Sequence, residues 1–241
     1  MTKITRKLKK IFLALQSPIL RRGLRFGVGP AYEHGGILAP LQLATIVDIG
    51  ANKGQFSLLA RQLHPMAQIF AFEPLGKPAK KYCQIFARDS KTAFYQIAIG
   101  PTSMTADMHV SGRDDSSSLL SITEDQVAFA PGTQEVGRER VRVAPLSETL
   151  LQQEITEPAL LKIDVQGFEL SALEGCESLL RRFSHIYVEL SFVPFYENQA
   201  LAYEVINWLA ARQFYLTAIH NPVRAKSSII VQADFLFYRP S

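Results

Sequence analysis

The sequence predicts an α/β fold built on a mostly parallel sheet, and three observations carry that expectation. From residue 44 onward, short apolar runs alternate with segments of helical periodicity. The run "ATIVDIG" passes directly through a glycine-spaced turn into a helical pattern, as a strand–crossover–strand unit begins. The strand-like runs are almost continuously hydrophobic, which suits strands covered on both faces.

Taken in order, "ATIVDIG" reads as a first strand and "GQFSLLARQLH" as its helix. "AQIFAFEP" is a second strand, "PAKKYCQIFARD" a second helix and "TAFYQIAIG" a third strand. The rhythm then breaks. "SMTADMHVSG" and "RERVRVAP" alternate like exposed or edge strands, and the polar stretch between them reads as a long surface loop or hairpin region. Alternation resumes with strand "ALLKIDV", helix "ELSALEGCESLLRRF", strand "HIYVELSF" and helix "LAYEVINWLAARQ", whose Val205, Trp208 and Leu209 keep core spacing. "FYLTAIH" and "DFLFYRP" are expected to pair as an antiparallel hairpin around "NPVRAKSS".

The 241 residues suit one sizeable domain, with 47% apolar and 20% charged residues in the balance of a soluble globular chain. The formal charge of +4 is unevenly held: residues 1–25 carry eight basic side chains and no acid, so the remainder is net −4. That distribution argues against a broad nucleic-acid-binding face. Ile4, Leu8, Ile11, Phe12 and Leu15 form one stripe of a basic helix ending before Pro18. Residues 1–40 are therefore read as an N-terminal helical segment and 41–241 as the main domain. Two placements of the helix stay open: packing on the domain, which is favoured, or lying on an anionic membrane surface. Cys83 and Cys176 lack metal-ligand spacing and are read as reduced thiols of a cytoplasmic protein.

The glycine turn has a physical logic. A strand ending at Gly50 and a helix starting near Gly54 put backbone groups at the carboxyl edge of the sheet, where ligands bind. Both glycines are expected to let the main chain approach a ligand, and Asn52 to adopt positive φ. Glu73 ends the second strand, 23 residues beyond Gly50, where a carboxylate can accept bonds from both ribose hydroxyls of an adenosine. Asp48, a charge within an apolar strand, is expected to fix the loop and the amino group of a ligand. Neither a P-loop nor a G-x-G-x-x-G fingerprint is present, so S-adenosylmethionine fits the opening better than a dinucleotide.

The ordered pieces "VDIGANKGQFS", "FAFEP", "QIAIG", "SSSLL", "LLKIDVQGFELSALEG" and "YVELS" resemble those of the FkbM family of class I S-adenosylmethionine-dependent methyltransferases. The resemblance implies a three-layer, Rossmann-like fold with seven strands, the last antiparallel. It implies O-methylation of a hydroxyl on a sugar, glycan, lipid or secondary metabolite. By position, Asp48, Gly50, Ala51, Asn52, Gly54 and Phe56 would surround the methionine end of the cofactor. Glu73 would hold the ribose, Gln96, Ile97 and Ala98 would border the adenine, and Asp164 would face the methyl group. Two departures stand out: Gln166 replaces a frequent acid, and "GPTS" replaces the acid after the third strand.

An alcohol acceptor needs a general base, for which Asp164 and Glu189 are the leading candidates at adjacent strand ends. Glu169 is read as a helix-opening acid, His34 as a structural histidine, and "RDDSSSLL" as an acceptor wall. The expected partner is a small-molecule or glycan acceptor, not nucleic acid. Oligomeric state is left open. The alternatives are a non-catalytic cofactor-binding subunit of a glycan-assembly complex and an RNA methyltransferase.

Overall fold

A computed structural model describes residues 17–113, 115–226 and 228–240, and its centre is β1 (Thr45–Ile49), buried at every position. β1 pairs in parallel with β2 (Gln68–Phe72) on one side and β7 (Ala159–Ile163) on the other. β3 (Thr92–Tyr95) extends the sheet beyond β2. On the other flank come β8 (His185–Ser191), β10 (Ile230–Tyr238) and edge strand β9 (Tyr215–Arg224), in the order β3-β2-β1-β7-β8-β10-β9. β10 runs antiparallel to both neighbours, so the last strand is the reversed one, as expected.

Alternation along β1 divides the core. Val47 and Ile49 pack with Leu161, Ile163, Val188 and Phe235 beneath α6 (Glu169–Gly175) and α7 (Ala202–Ala210). Ile46 faces the other layer, where α3 (Gln55–Leu63) contributes Phe56 and Leu59, and α2 (Gly35–Leu38) contributes Ile37 and Leu38. α4 (Gly76–Phe86) belongs to that layer through Tyr82, Ile85 and Phe86. Helices thus cover both sheet faces.

Three sequence readings change. "TAFYQIAIG" is two strands, because β2 stops pairing at Phe72–Tyr95 and Pro74, with no N–H, follows Glu73. The chain then leaves the sheet, and β4 (Ala98–Ile99) joins β6 (Glu135–Ala144) and β5 (Met104–Ser111) in a separate three-stranded sheet. The expected surface loop contains a helix, α5 (Glu124–Phe129), capped by Thr123, whose hydroxyl accepts from Gln126 N–H. Ser116, Ser117 and Ser118 in that stretch are buried, and His109 and Ser118 exchange backbone hydrogen bonds.

The amphipathic helix expected before Pro18 lies outside the described residues. Pro18 itself opens α1 (Pro18–Arg25), at a position where a missing N–H costs nothing. Leu20 of α1 is fully buried in the cluster holding Leu58 and Tyr82. Among the described residues no helix is long and apolar enough to cross a membrane.

The two loop glycines serve chain packing. Gly50 has φ +76°, and a Cβ there would sit 1.8 Å from the Asp164 carbonyl oxygen. At Gly54, φ +93°, a Cβ would meet the Phe86 and Tyr82 rings at 2.7 and 3.0 Å. At both glycines the absent Cβ makes room for another part of the chain, and Gly50 also lines the cavity described below. Gly50→Ala should destabilise the protein by more than the roughly 1–2 kcal/mol of a left-handed residue, because β1 and the β7 turn must also separate. A fall in the urea midpoint checks it.

Candidate functional site

One face of the sheet carries a row of polar side chains. Parallel register places Asp48 (β1), Lys162 (β7) and Tyr187 (β8) side by side. Two residues further towards the carboxyl edge come Gly50, Asp164 and Glu189, with Asp234 opposite Glu189 on β10. Alternation by two keeps all of these side chains on the α3 side.

Asp48 is 0% exposed and stands 3.1 Å from Lys162 Nζ. Its other oxygen accepts from Ser57 Oγ at 2.7 Å, and Ser57 in turn accepts from the Tyr82 hydroxyl at 2.9 Å. Lys162 donates to the Gly50 carbonyl at 3.0 Å. Burial works against the Lys162 charge, but Asp48 and Asp164 more than offset it and hold its pKa above the ordinary value. The loop is tied to the sheet through this lysine.

Above the row opens a cavity of about 600 Å³. Its lining includes Gly50, Ala51, Asn52, Phe56, Glu73 and Ala98 of the sequence-predicted set, and both Asp164 and Glu189. Asp48 and Gly54 lie outside the lining. Asp48 reaches the loop through Lys162, which donates to the Gly50 carbonyl, and Gly54 faces the aromatic rings of α4. Asn52 has the expected positive φ, 47°.

Glu73 is 6% exposed at the tip of β2. Asn52 N–H donates to Oε2 at 3.0 Å and Leu75 N–H to Oε1 at 2.9 Å. Each carboxylate oxygen keeps a further lone pair for a ligand hydroxyl. Beside it, Leu75, Ile97 and Ala98 give the cavity an apolar wall, and Met108 of the small sheet continues it.

Gln166, φ 55°, joins the two acids at the far side. Its Nε2 donates to Asp164 Oδ1 at 2.8 Å and to Glu189 Oε2 at 3.0 Å. The Tyr196 hydroxyl, 3.0 Å from Gln166 Oε1, also lies 3.2 Å from the Ser116 carbonyl oxygen. The serine loop, the glutamine and both acids are therefore one connected wall. Glu169 accepts from Gly167 and Val165 N–H at 2.9 and 3.3 Å and anchors this turn from below. Four participants were missed or undervalued in the sequence: Lys162, Gln166, Asp234 and His34. A lysine in the apolar run "LLKIDV" is the complement of the aspartate in "IVDIG", and that pairing was a readable signal.

A family model described as the methyltransferase FkbM domain matches residues 48–216. The chain belongs to this family. A curated relative, the 2-O-methyltransferase NoeI of Sinorhizobium fredii, is 26% identical over 160 residues, 64% of this chain and 66% of its own length. The chain thus matches just under two thirds of that relative. Among solved structures, a candidate rRNA-methylase of Clostridium thermocellum shares the fold at a TM-score of 0.50 and 7% identity, over 88% of this chain and 97% of its own.

In this FkbM-domain chain the cavity carboxyls are perturbed. Burial pushes Glu73 up to about 7, against the opposing pull of the Leu75 and Asn52 N–H groups. Burial also raises Glu189 well above the ordinary range, reinforced by the charges of Asp164 and Asp234. Asp234 is held below the usual value: burial alone would raise it, but hydrogen bonds from His34, Asn221 and Tyr187 outweigh that.

Two outcomes follow for stability. Lys162→Met leaves Asp48 buried without its cation and should cost about 3–5 kcal/mol in urea denaturation. Adding Asp48→Asn should recover part of that loss. For Glu73, the folded carboxyl holds its proton between 4.5 and about 7 while the unfolded one loses it. Its contribution to stability is therefore full below pH 4.5 and falls as pH rises through 7. The stability of Glu73→Gln relative to wild type should move in the variant's favour by up to about 3 kcal/mol across that window. Paired denaturation curves at pH 4.5, 6 and 8 measure it.

Proposed function

We propose that this methyltransferase uses S-adenosylmethionine to methylate a hydroxyl on a sugar, glycan, lipid-linked saccharide or related small acceptor. Glu73 carries the reading: a carboxylate held by two backbone N–H groups at the strand tip beside the glycine loop, with acceptor capacity directed to a shared cavity. The cavity also fits the group elsewhere. Leu75, Ile97, Ala98 and Met108 give it an apolar wall next to Glu73, as a flat heteroaromatic base requires. Ile97, Ala98 and Leu75 would take the adenine and Glu73 the ribose. Ala51, Asn52, Phe56 and Asp164 would take the amino-acid end.

When bound, S-adenosylmethionine supplies an electrophilic methyl group. The protein's task is then to align the acceptor, exclude water and remove a proton. Asp164, 39% exposed, would face the methyl group from the strand tip, with Gln166 holding its orientation. Glu189, kept protonated by burial, would act as a hydrogen-bond donor to the acceptor and not as its base. Ser117, Asp115 and Arg113 of the serine-rich stretch offer further polar contacts on that side. The 2-O-methyltransferase activity in the relative's name supports an oxygen acceptor. A cytoplasmic placement belongs to the same proposal.

Calorimetry with S-adenosylmethionine and its demethylated product tests the cofactor site. Glu73→Ala should weaken both by ten- to a hundred-fold, about 1.5–3 kcal/mol for charge-assisted bonds. Wild-type affinity should rise with pH up to about 7, because binding requires the ionised carboxylate, and level off above it. Unchanged affinity in the variant rejects the ribose assignment.

A further inference from the structure

Outside the glycine loop, a second group of side chains enters the cavity from the strand β10 side. His34 closes a short 3₁₀ turn, Tyr32–His34, and lines the cavity. Its Nδ1 lies 2.8 Å from the Tyr187 hydroxyl and 3.3 Å from Asp234 Oδ2. The Tyr187 hydroxyl donates to Asp234 Oδ2 at 2.7 Å, and Asn221 Nδ2 donates to the same oxygen at 2.7 Å.

This network sets the tautomer. The Tyr187 proton is committed to Asp234, and Asn221 Nδ2, 3.5 Å from Nδ1, donates to Asp234 at 2.7 Å, so a hydrogen on Nδ1 completes the network with the tyrosine oxygen and Asp234 as its acceptors. Nε2 is then the ring's lone-pair nitrogen, and among the described residues it makes no hydrogen bond. The ring is clamped edge-on between Phe56 and Tyr187, at centroid distances of 5.7 and 5.5 Å. Oriented imidazole, buried carboxylate behind Nδ1 and a lone pair on the remaining nitrogen are the parts of a general base.

The two carboxylates suggested by the sequence are less suited to the task. Each has an oxygen engaged by the Gln166 amide. Glu189 is in addition crowded by Asp164 and by Asp234, its direct partner across the β8–β10 ladder.

We infer that His34 is the general base for the acceptor hydroxyl, with Asp234 as the residue that positions it and Tyr187 and Asn221 fixing that carboxylate. The inference rests on the hydroxyl-methylation reading above. As the acceptor oxygen bonds to the methyl carbon, the carbon–sulfur bond breaks with its electron pair leaving on sulfur. The hydroxyl proton passes to Nε2, and the imidazolium returns it to solvent. The groups in contact with the His34 ring are Asp234 and Asn221 from the β9–β10 hairpin, Tyr187 from β8 and Phe56 from α3. Lys162 Nζ lies 5.5 Å from the centroid of the Phe56 ring, which the His34 ring meets edge-on.

The test has two arms on the full-length protein. In the first, ¹⁵N-histidine NMR, with the His34 signals assigned by their loss in His34→Gln, should show a single Nδ1–H tautomer at neutral ring charge. Asp234→Asn should convert it to a mixture. A Nε2–H tautomer in the wild type overturns the inference. In the second, labelled S-adenosylmethionine is supplied with a polysaccharide and glycolipid extract of source cells lacking this protein. His34→Gln should transfer label at roughly 10²–10⁴-fold lower rate while calorimetric affinity for the cofactor stays within about twofold. Wild-type transfer by His34→Gln defeats the base assignment and leaves the methyltransferase reading standing. Absence of any cofactor binding or transfer by the wild type defeats both.

Discussion

The site depends on one buried ion pair, Asp48 with Lys162, across the β1–β7 register. Two charges in a fully covered sheet are costly unless each satisfies the other and further hydrogen bonds complete them. Here Ser57 donates to the second Asp48 oxygen, and the lysine's remaining donors reach the Gly50 and Ile49 carbonyls. The pair thereby fixes the turn that follows β1 against the turn that follows β7. Gly50 can accept this closeness only because it has no Cβ to meet Asp164.

From that constraint the cavity follows. With Gly50 pinned, Asn52 is carried in a left-handed conformation to where its N–H meets Glu73, and the tip of β2 is locked to the loop. With the β7 turn pinned, Gln166 lies between Asp164 and Glu189 and connects them through Tyr196 to the buried serine stretch. The cofactor end and the acceptor end are held by different side chains but by the same pair of strands. An acid at position 166 would set a third carboxyl against Asp164 and Glu189. The glutamine instead supplies a donor to each.

The third strand, β8, links this arrangement to β10. Tyr187 stands beside Lys162 in the register, and its hydroxyl reaches Asp234 on the reversed last strand. That strand reversal matters chemically. It brings a residue from the end of the chain beside one that precedes the first strand, so Asp234 and His34 meet across 200 positions of sequence. Neither has a local partner that would announce the contact.

The sequence by itself determined the strand–helix order, the carboxyl-edge position of Gly50, Glu73, Asp164 and Glu189, and the positive φ of Asn52. Each of these is a consequence of local pattern: hydrophobic period, turn chemistry and the ends of apolar runs. Tertiary structure decided what those positions do to each other. It turned Asp48 inward to a lysine, turned Gly54 towards Tyr82 and Phe86, divided "TAFYQIAIG" between two sheets, and buried serines that read as a surface loop. It also raised His34 from a lone histidine to a member of a cavity network. The physical reason is common to all of them: pairing register and side-chain burial are set by segments far apart in the chain, and periodicity carries no record of which partner a residue will face.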